Sequence, residues 1–98
     1  MEKDLLEINN HYGVLPQLKY FQSEIFELNE AIIKKENTIY FGRAEDYIND
    51  IDHITEELSD VTVMLKQFQA YYGITDEEIE EVMKYKILRQ KKRMEDEK

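Results

Sequence analysis

Acidic side chains recur at three-residue steps in two separate parts of the chain. Glu24 and Glu27 form one pair, Glu57 and Asp60 form the other, and each directly precedes an apolar residue. Residues three apart share a helix face, and like charges at that spacing repel by roughly 0.2–0.5 kcal/mol per exposed pair. Two packed helices would bring both pairs together at the edge of a core. A divalent cation would offset the repulsion between them.

The available donors narrow the choice of cation. The chain has 2 His and no Cys, so the ligands would be oxygen atoms, which suit Mg²⁺, with Mn²⁺ as the second choice. Mg²⁺ shares its coordination positions with substrate phosphates, so the pattern favours phosphate-ester or phosphoanhydride chemistry over a structural metal. The alternative is a solvated acidic helix face, and spacing alone leaves both interpretations open.

Other side chains could contact a phosphorylated ligand. Lys86, Arg89 and Arg93 are spaced by three and four residues, so they share one helix face and could clamp triphosphate oxygens. Cations also favour the C-terminal ends of helices without binding anything. Four aromatic residues could stack on a nucleobase, although aromatics in apolar stripes more often form a core or an interface: Tyr12, Tyr20, Phe21 and Phe68.

The elements that must position these residues are all predicted to be helices, because the chain has 3 Gly, 1 Pro and little strand-like alternation. The first helix spans about residues 2–11 and stops at Gly13. Pro16 suits the first turn of the second helix, which is expected to end near Lys34 and Lys35. Residues 37–43 are expected to form a connection with Gly42 as its turn residue.

The second half of the chain contains two further predicted helices. One ends before Gly73, and residues 45–51 are either its first turns or a separate short helix. Thr75 and Glu78 have the spacing of a capping box, which starts the fourth helix. Its basic end, about residues 90–98, is expected to fray.

Apolar residues at steps of three and four define the faces on which these helices are expected to pack. In the second helix the stripe is Leu18, Phe21, Ile25, Leu28 and Ile32. In the third it is Ile51, Ile54, Leu58, Val61, Leu65, Phe68 and Tyr72.

Length and charge exclude several protein classes. With 98 residues the chain is expected to be a single domain, 1–98, close to the lower limit for a self-sufficient core, so a homo-oligomer is expected. Residues 1–83 carry 19 Asp and Glu against 6 Lys and Arg, whereas 84–98 carry 3 against 7. An acidic body argues against nucleic acid as a partner. The absence of a leader-like N-terminus and of an apolar run of roughly 18 residues predicts a cytoplasmic protein without membrane contact.

The two acidic motifs, taken with their surroundings, resemble a known family. Glu24-x-x-Glu27-Leu28 followed by Ala31-Ile32, and then Glu56-Glu57-Leu58-Ser59-Asp60-Val61, is similar to the ExxE…ExxD signature of the MazG-like, all-α nucleoside triphosphate pyrophosphohydrolases. The segment from His11 to Gln17 resembles the lead-in to the first motif, and the Lys86-x-x-Arg89 run resembles the segment after the second. The resemblance covers about residues 8–93. Ser23 departs from it, because the family often has a second Glu there.

The resemblance implies a function and roles for individual residues. The expected fold is an all-α, four-helix MazG-like bundle completed as a homodimer or homotetramer. The expected reaction is the Mg²⁺-dependent hydrolysis of a nucleoside triphosphate to a monophosphate and pyrophosphate. The metal ligands would be Glu24, Glu27, Glu57 and Asp60, with Glu56 or Glu30 orienting or deprotonating the attacking water. Lys86, Arg89 and Arg93 would bind the substrate.

Three alternatives remain at this point. Two are enzymes of the same kind, a phosphoribosyl-ATP pyrophosphohydrolase and a hydrolase of alarmone-type or damaged nucleotides. The third is a helical interaction module that keeps the fold and has lost catalysis. Ser23 favours that module slightly, whereas the complete set of four acids argues against it.

Overall fold

Four α-helices follow one another along the chain. The computed structural model describes the backbone of residues 1–41 and 44–98, and side chains outside 38–47. The helices are α1 (Glu2–Tyr12), α2 (Val14–Phe41), α3 (Ala44–Tyr71) and α4 (Asp76–Asp96). No strand occurs in the described parts of the chain, which confirms the all-helical prediction.

The boundary between α1 and α2 lies where the sequence places it. Gly13 has a φ of 90°, a value that favours glycine, and its N–H donates to the carbonyl of Asn9 at the end of α1. Pro16 lies in the first turn of α2, where a missing N–H leaves no helix hydrogen bond unmade.

The predicted end of α2 near Lys34 and Lys35 is wrong. The helix continues to Phe41, so residues 37–41 of the expected connection are helical. Residues 36–41 contain neither Gly nor Pro, so nothing in the local sequence stops the helix. The expected turn residue Gly42 lies outside the described residues. On the other side, residues 45–51 are the first turns of α3 and not a separate helix.

A short turn joins α3 to α4. Gly73 ends α3 with a φ of 67°, and Thr75 and Glu78 form the predicted capping box. The Asp76 Oδ1 accepts hydrogen bonds from Gln69 Nε2 at 2.7 Å and from Lys66 Nζ at 3.0 Å. These bonds fix the first turn of α4 to the end of α3. The helix then continues through the basic segment to Asp96, so the expected fraying from residue 90 is not seen.

Helices α2 and α3 form an antiparallel pair, and α1 packs mainly on α3. The start of α2 meets the end of α3 where Gln17 Nε2 donates to Gln67 Oε1 at 3.1 Å. Farther along α2, Lys34 Nζ lies 3.5 Å from Asp50 Oδ1 near the start of α3. Helix α4 packs against none of the other three helices beyond its first turn.

The seam between α2 and α3 is more polar than the sequence predicts. Among the side chains that the structure describes, the buried ones of α2 are Gln17, Glu24 and Ala31, and those of α3 are Asp50, Glu57, Val61, Met64 and Gln67. Most members of the predicted apolar stripes lie beside this seam, where six are exposed: Leu18, Ile25, Ile32, Ile51, Leu58 and Leu65. The predicted stripes are therefore only partly correct as the contact faces of α2 and α3. Val61 lies in the seam, and the half-buried rings of Phe21 in α2 and Phe68 in α3 meet edge to face with 5.6 Å between their centroids.

The chain buries little apolar surface by itself. Among the residues with described side chains, the buried apolar ones are Leu5, Ala31, Val61 and Met64. The radius of gyration is 17.1 Å, against about 13 Å for a compact domain of 100 residues. None of the helices in the described part of the chain has the length and apolarity that crossing a membrane requires.

Candidate metal and ligand site

Three carboxylates from the two long helices meet at one point on the α2–α3 seam. Glu24 of α2 and Glu57 and Asp60 of α3 each bring one carboxylate oxygen within 4.8 Å of the others. We call these three residues the acid cluster. Glu24 is only 4% exposed and Glu57 only 9%, whereas Asp60 is open to solvent. Such a cluster has two members inside the protein and one at its edge, where a ligand can approach.

The buried members of the acid cluster have unused acceptor atoms. Glu24 Oε2 and Glu57 Oε2 are both buried without a hydrogen-bond partner. The other Glu57 oxygen, Oε1, lies 3.3 Å from His53 Nε2, one turn earlier on α3. Buried polar atoms in proteins are nearly always hydrogen-bonded or bound to an ion. Two orphaned carboxylate oxygens in one cluster therefore favour a site that holds a cation.

Tyr20 is attached to this cluster from the preceding turn of α2. Its hydroxyl hydrogen-bonds to the Glu24 carboxylate, and this bond raises the pKa of Tyr20 above its usual value of 10.0. The negative charges of Glu24, Asp60 and Glu27 raise that pKa further. Tyr20 and Glu24 also line the same cavity.

The other three acids named from the sequence lie outside the acid cluster. Glu27 is exposed one turn beyond Glu24, near enough for its charge to influence Tyr20. Glu30 and Glu56 are also exposed. The three-residue step places Glu24 in the seam and Glu27 at its solvent edge. In the single chain, the described residues bring together three of the four predicted ligands.

The predicted substrate-binding cations lie on α4. Lys86, Arg89 and Arg93 are exposed, and Arg89 lies over the ring of Tyr85, 6.0 Å from its centroid. Because α4 makes no helix packing contact beyond its first turn, no such contact among the described residues of one chain brings these cations to the acid cluster.

A cavity of about 530 Å³ opens beside the acid cluster. Glu24 and Asp60 are part of its wall, and the buried pair Gln17 and Gln67 also lines it. Residue type and spacing alone indicate no role for these two amides. The signal that would have revealed Gln67 is its three-residue step from Met64, which continues the buried line of α3 beyond Val61.

Asp50 is a further buried acid that the sequence analysis did not single out. It is only 3% exposed, and its Oδ1 contacts Lys34 while Oδ2 is buried without a partner. It lies seven residues before Glu57, on the same face of α3.

Comparisons of the whole chain with protein-family models, curated proteins and solved structures give no match.

Proposed function

We propose that the acid cluster binds Mg²⁺ and that the protein is a nucleotide pyrophosphohydrolase of the MazG-like type. The observation that carries this proposal is the meeting of Glu24, Glu57 and Asp60 within 4.8 Å, with two buried carboxylate oxygens left unpartnered. A hard cation with oxygen ligands satisfies those oxygens and offsets the repulsion among the three charges. Mn²⁺ has compatible ligand chemistry and is the expected substitute.

The proposed reaction is NTP or dNTP plus water to NMP or dNMP plus pyrophosphate. A bound Mg²⁺ would neutralise triphosphate oxygens and assist attack of water at the α-phosphorus. In this proposal the chain holds three carboxylates in place. Burial holds Glu24 and Glu57, and Glu24 also accepts the Tyr20 hydrogen bond. Glu27 is proposed as the fourth ligand, reached from the solvent edge of the seam. Glu56 and Glu30 are proposed to orient or deprotonate the water.

The class of substrate is supported by the surroundings of the acid cluster. Glu24 and Asp60 line a cavity of about 530 Å³. Ligand pockets usually measure about 300–1,000 Å³, so this cavity is large enough for part of a nucleotide. The two acidic motifs also have the order and helical context of the family that they resemble. Phosphoribosyl-ATP and alarmone-type nucleotides remain the alternative substrates, because they carry the same phosphate groups.

A homo-oligomer is the second part of the proposal. Because α2 and α3 are antiparallel, residues that directly follow the buried ones lie on the same side of the pair. This side carries Leu18, Ile25 and Ile32 of α2 with Ile51 and Leu58 of α3, and all five are exposed. We call it the apolar flank. An apolar surface of this kind commonly marks a contact between proteins.

Helix α4 offers a matching surface on a second copy. All its residues are exposed, including an apolar stripe of Ile79, Val82, Met83 and Ile87. Lys86 and Arg93 lie on the same helix face, between the directions of Val82 and Ile79, and Arg89 lies at its edge. The segment 84–98 carries 7 Lys and Arg against 3 Asp and Glu, and 1–83 carries 6 against 19. We therefore propose a dimer or tetramer in which α4 covers the apolar flank of another copy. Binding of substrate by Lys86, Arg89 and Arg93 stays a prediction.

The test is the release of pyrophosphate from nucleoside triphosphates, with and without Mg²⁺. We expect metal-dependent release by the full-length chain and its loss in Glu57→Gln, which removes one charged ligand of the acid cluster. The matched control is Glu81→Gln, because Glu81 is an exposed acid on α4 away from the acid cluster. Helical content measured by circular dichroism should be the same in all three proteins.

Two results would contradict the proposal. Full activity in Glu57→Gln would show that the acid cluster is not the metal site. The second result is that no triphosphate releases pyrophosphate and that neither Mg²⁺ nor a non-hydrolysable triphosphate changes the melting temperature. That result would favour the helical interaction module. A ligand at a hundred times its Kd should add about 2.7 kcal/mol to the free energy of unfolding. The unpartnered apolar stripe of α4 is the observation that keeps this module as the second candidate.

A further inference from the structure

The cavity beside the acid cluster has a wall of a different character from the cluster itself. Glu24 and Asp60 form one end of the cavity, and its remaining wall includes Ile8, Tyr12, Pro16 and Tyr20. A triphosphate bound at the carboxylates would therefore have a mainly apolar, aromatic space next to it. Such a space suits the uncharged end of a nucleotide better than it suits further phosphate groups.

Two tyrosines in this wall keep their rings accessible. Tyr12 is 61% exposed and Tyr20 is 56% exposed, although both line the cavity. The Tyr12 ring is supported by an edge-on contact with His11 at 4.6 Å between ring centroids, and the Tyr20 hydroxyl is tied to Glu24. Aromatic rings held in this way offer faces on which a planar base can stack.

The cavity also contains a buried pair of amides. Gln17 and Gln67 are 6% and 2% exposed, and Gln17 Nε2 donates to Gln67 Oε1 at 3.1 Å. The Gln67 Nε2 donates to Met64 Sδ at 3.6 Å, a weak bond that holds the second amide in place. Gln17 retains a carbonyl acceptor and a second amide hydrogen with no partner among the described residues. A primary amide with both groups available matches the adjacent donor and acceptor on a base edge.

We propose that this cavity binds the nucleobase of the substrate, with Tyr12 and Tyr20 stacking on the base and the Gln17–Gln67 pair hydrogen-bonding to its edge. The inference rests on the proposed function, because the triphosphate bound at the acid cluster brings the base to the cavity. It adds a role for Gln17 and Gln67 as residues that determine base preference. It also makes the base a source of affinity separate from the metal.

Calorimetric titration of the full-length chain in Mg²⁺ tests the stacking. The ligands are non-hydrolysable α,β-methylene triphosphates of the four common nucleosides and, without a base, inorganic tripolyphosphate. We expect the best nucleotide to bind at least about fivefold more tightly than tripolyphosphate, the lower limit for stacking one base. Tyr12→Ala should remove this advantage and leave tripolyphosphate binding unchanged. The control Tyr72→Ala changes a tyrosine that is 64% exposed and outside the cavity, and it should keep the advantage.

Each other outcome has a definite meaning. Equal binding of nucleotides and tripolyphosphate to the wild type, or an unchanged advantage in Tyr12→Ala, would overturn the base site and leave the metal-site proposal intact. No binding of either ligand would overturn the proposed function and this inference with it.

The amide pair is tested by the double variant Gln17→Met, Gln67→Met. Replacing both partners leaves neither amide orphaned, so the variant should retain its fold, which its melting curve checks. We expect it to bind the four nucleotides with similar affinities, whereas the wild type discriminates among them. Discrimination that persists in a folded double variant would overturn the role of the amides.

Discussion

The carboxylate of Glu24 lies where an unpaired negative charge is unfavourable. It is buried, it shares a 4.8 Å cluster with Glu57 and Asp60, and its Oε2 has no partner. Removing one partner of a buried charge usually destabilises a protein, but here the nearest charges have the same sign. If the acid cluster binds Mg²⁺ as we propose, Glu24 should destabilise the metal-free fold and stabilise the metal-bound one.

This conflict predicts opposite effects of Glu24→Gln in the two states. Without divalent ions the variant should be more stable than the wild type by at least the roughly 0.2–0.5 kcal/mol of an exposed like-charge pair. The amide oxygen can still accept the Tyr20 hydrogen bond. With Mg²⁺ the wild type should gain stability and the variant should not, as measured by urea unfolding.

Glu7→Gln is the control for this experiment, because Glu7 is an exposed acid of α1 outside the acid cluster. It should respond to Mg²⁺ as the wild type does. A Glu24→Gln protein that is less stable than the wild type in the metal-free state, or equally stabilised by Mg²⁺, would contradict the assignment.

Sequence spacing located the acids but could not select among them. The step of three residues correctly indicated that two helices would bring acids together. It could not show that the seam passes through Glu24 and leaves Glu27 outside, because the two differ only in rotation about the α2 axis. The contribution of Tyr20 was equally hidden, since its bond to Glu24 depends on side-chain orientation.

At the level of the helices, the apolar periodicity identified the elements better than it identified their contacts. Capping signals at Thr75 and stop signals at Gly13 and Gly73 are local, and all three were confirmed. The contact seam is tertiary, and it uses Gln17, Glu24 and their partners while most of the apolar stripes remain beside it. An apolar stripe predicts burial, but it does not indicate whether the same chain or another copy provides it.

The junction between α3 and α4 predicts a specific dependence on pH. Hydrogen bonds from Gln69 and then from Lys66, with the Lys66 charge, lower the pKa of Asp76 below its usual 3.8. A carboxylate whose pKa is lower in the folded state adds stability above the unfolded value, and this is lost as the pH falls through the folded value. Asp76→Asn should therefore lower the melting temperature at about pH 6, and the difference should narrow below about pH 4.

Glu77→Gln is the matched control, because Glu77 occupies the same first turn of α4 without these partners. Glu77→Gln removes a negative charge from the same helix start, so it shows any general effect of that charge. It leaves the contacts between Asp76 and α3 in place. If both variants lowered the melting temperature equally, the contacts of Asp76 would not be the source of the stability.

The whole molecule is extended and buries little apolar surface. Its radius of gyration of 17.1 Å exceeds the compact value of about 13 Å, and its described buried apolar residues number four. Sequence length already indicated a marginal core. The two surfaces that we propose as an intermolecular contact became visible only with the structure, because they depend on α4 extending away from the other helices.

The proposed contact predicts that Met83→Glu combined with Ile87→Glu shifts the protein from oligomer to monomer. Two acids in the α4 stripe would face the acidic body of another copy and repel it. Sedimentation velocity gives the mass of each protein. Leu15→Glu is the control, because Leu15 is exposed apart from the apolar flank and should leave the mass unchanged. A wild type that sediments as a monomer at all concentrations would contradict the contact.

Because α4 lacks helix packing beyond its first turn, amide exchange in its backbone should depend on protein concentration. A lone helix of 21 residues is only marginally stable in water without tertiary packing. If the proposed contact between copies forms, we expect the order of α4 to depend on it. At low protein concentration its amide protons should exchange with deuterium almost as fast as those of a free peptide, and much more slowly at high concentration. Amides in the α2–α3 seam should show no such dependence. Protein concentration would then change the order of α4 and leave the α2–α3 pair unchanged.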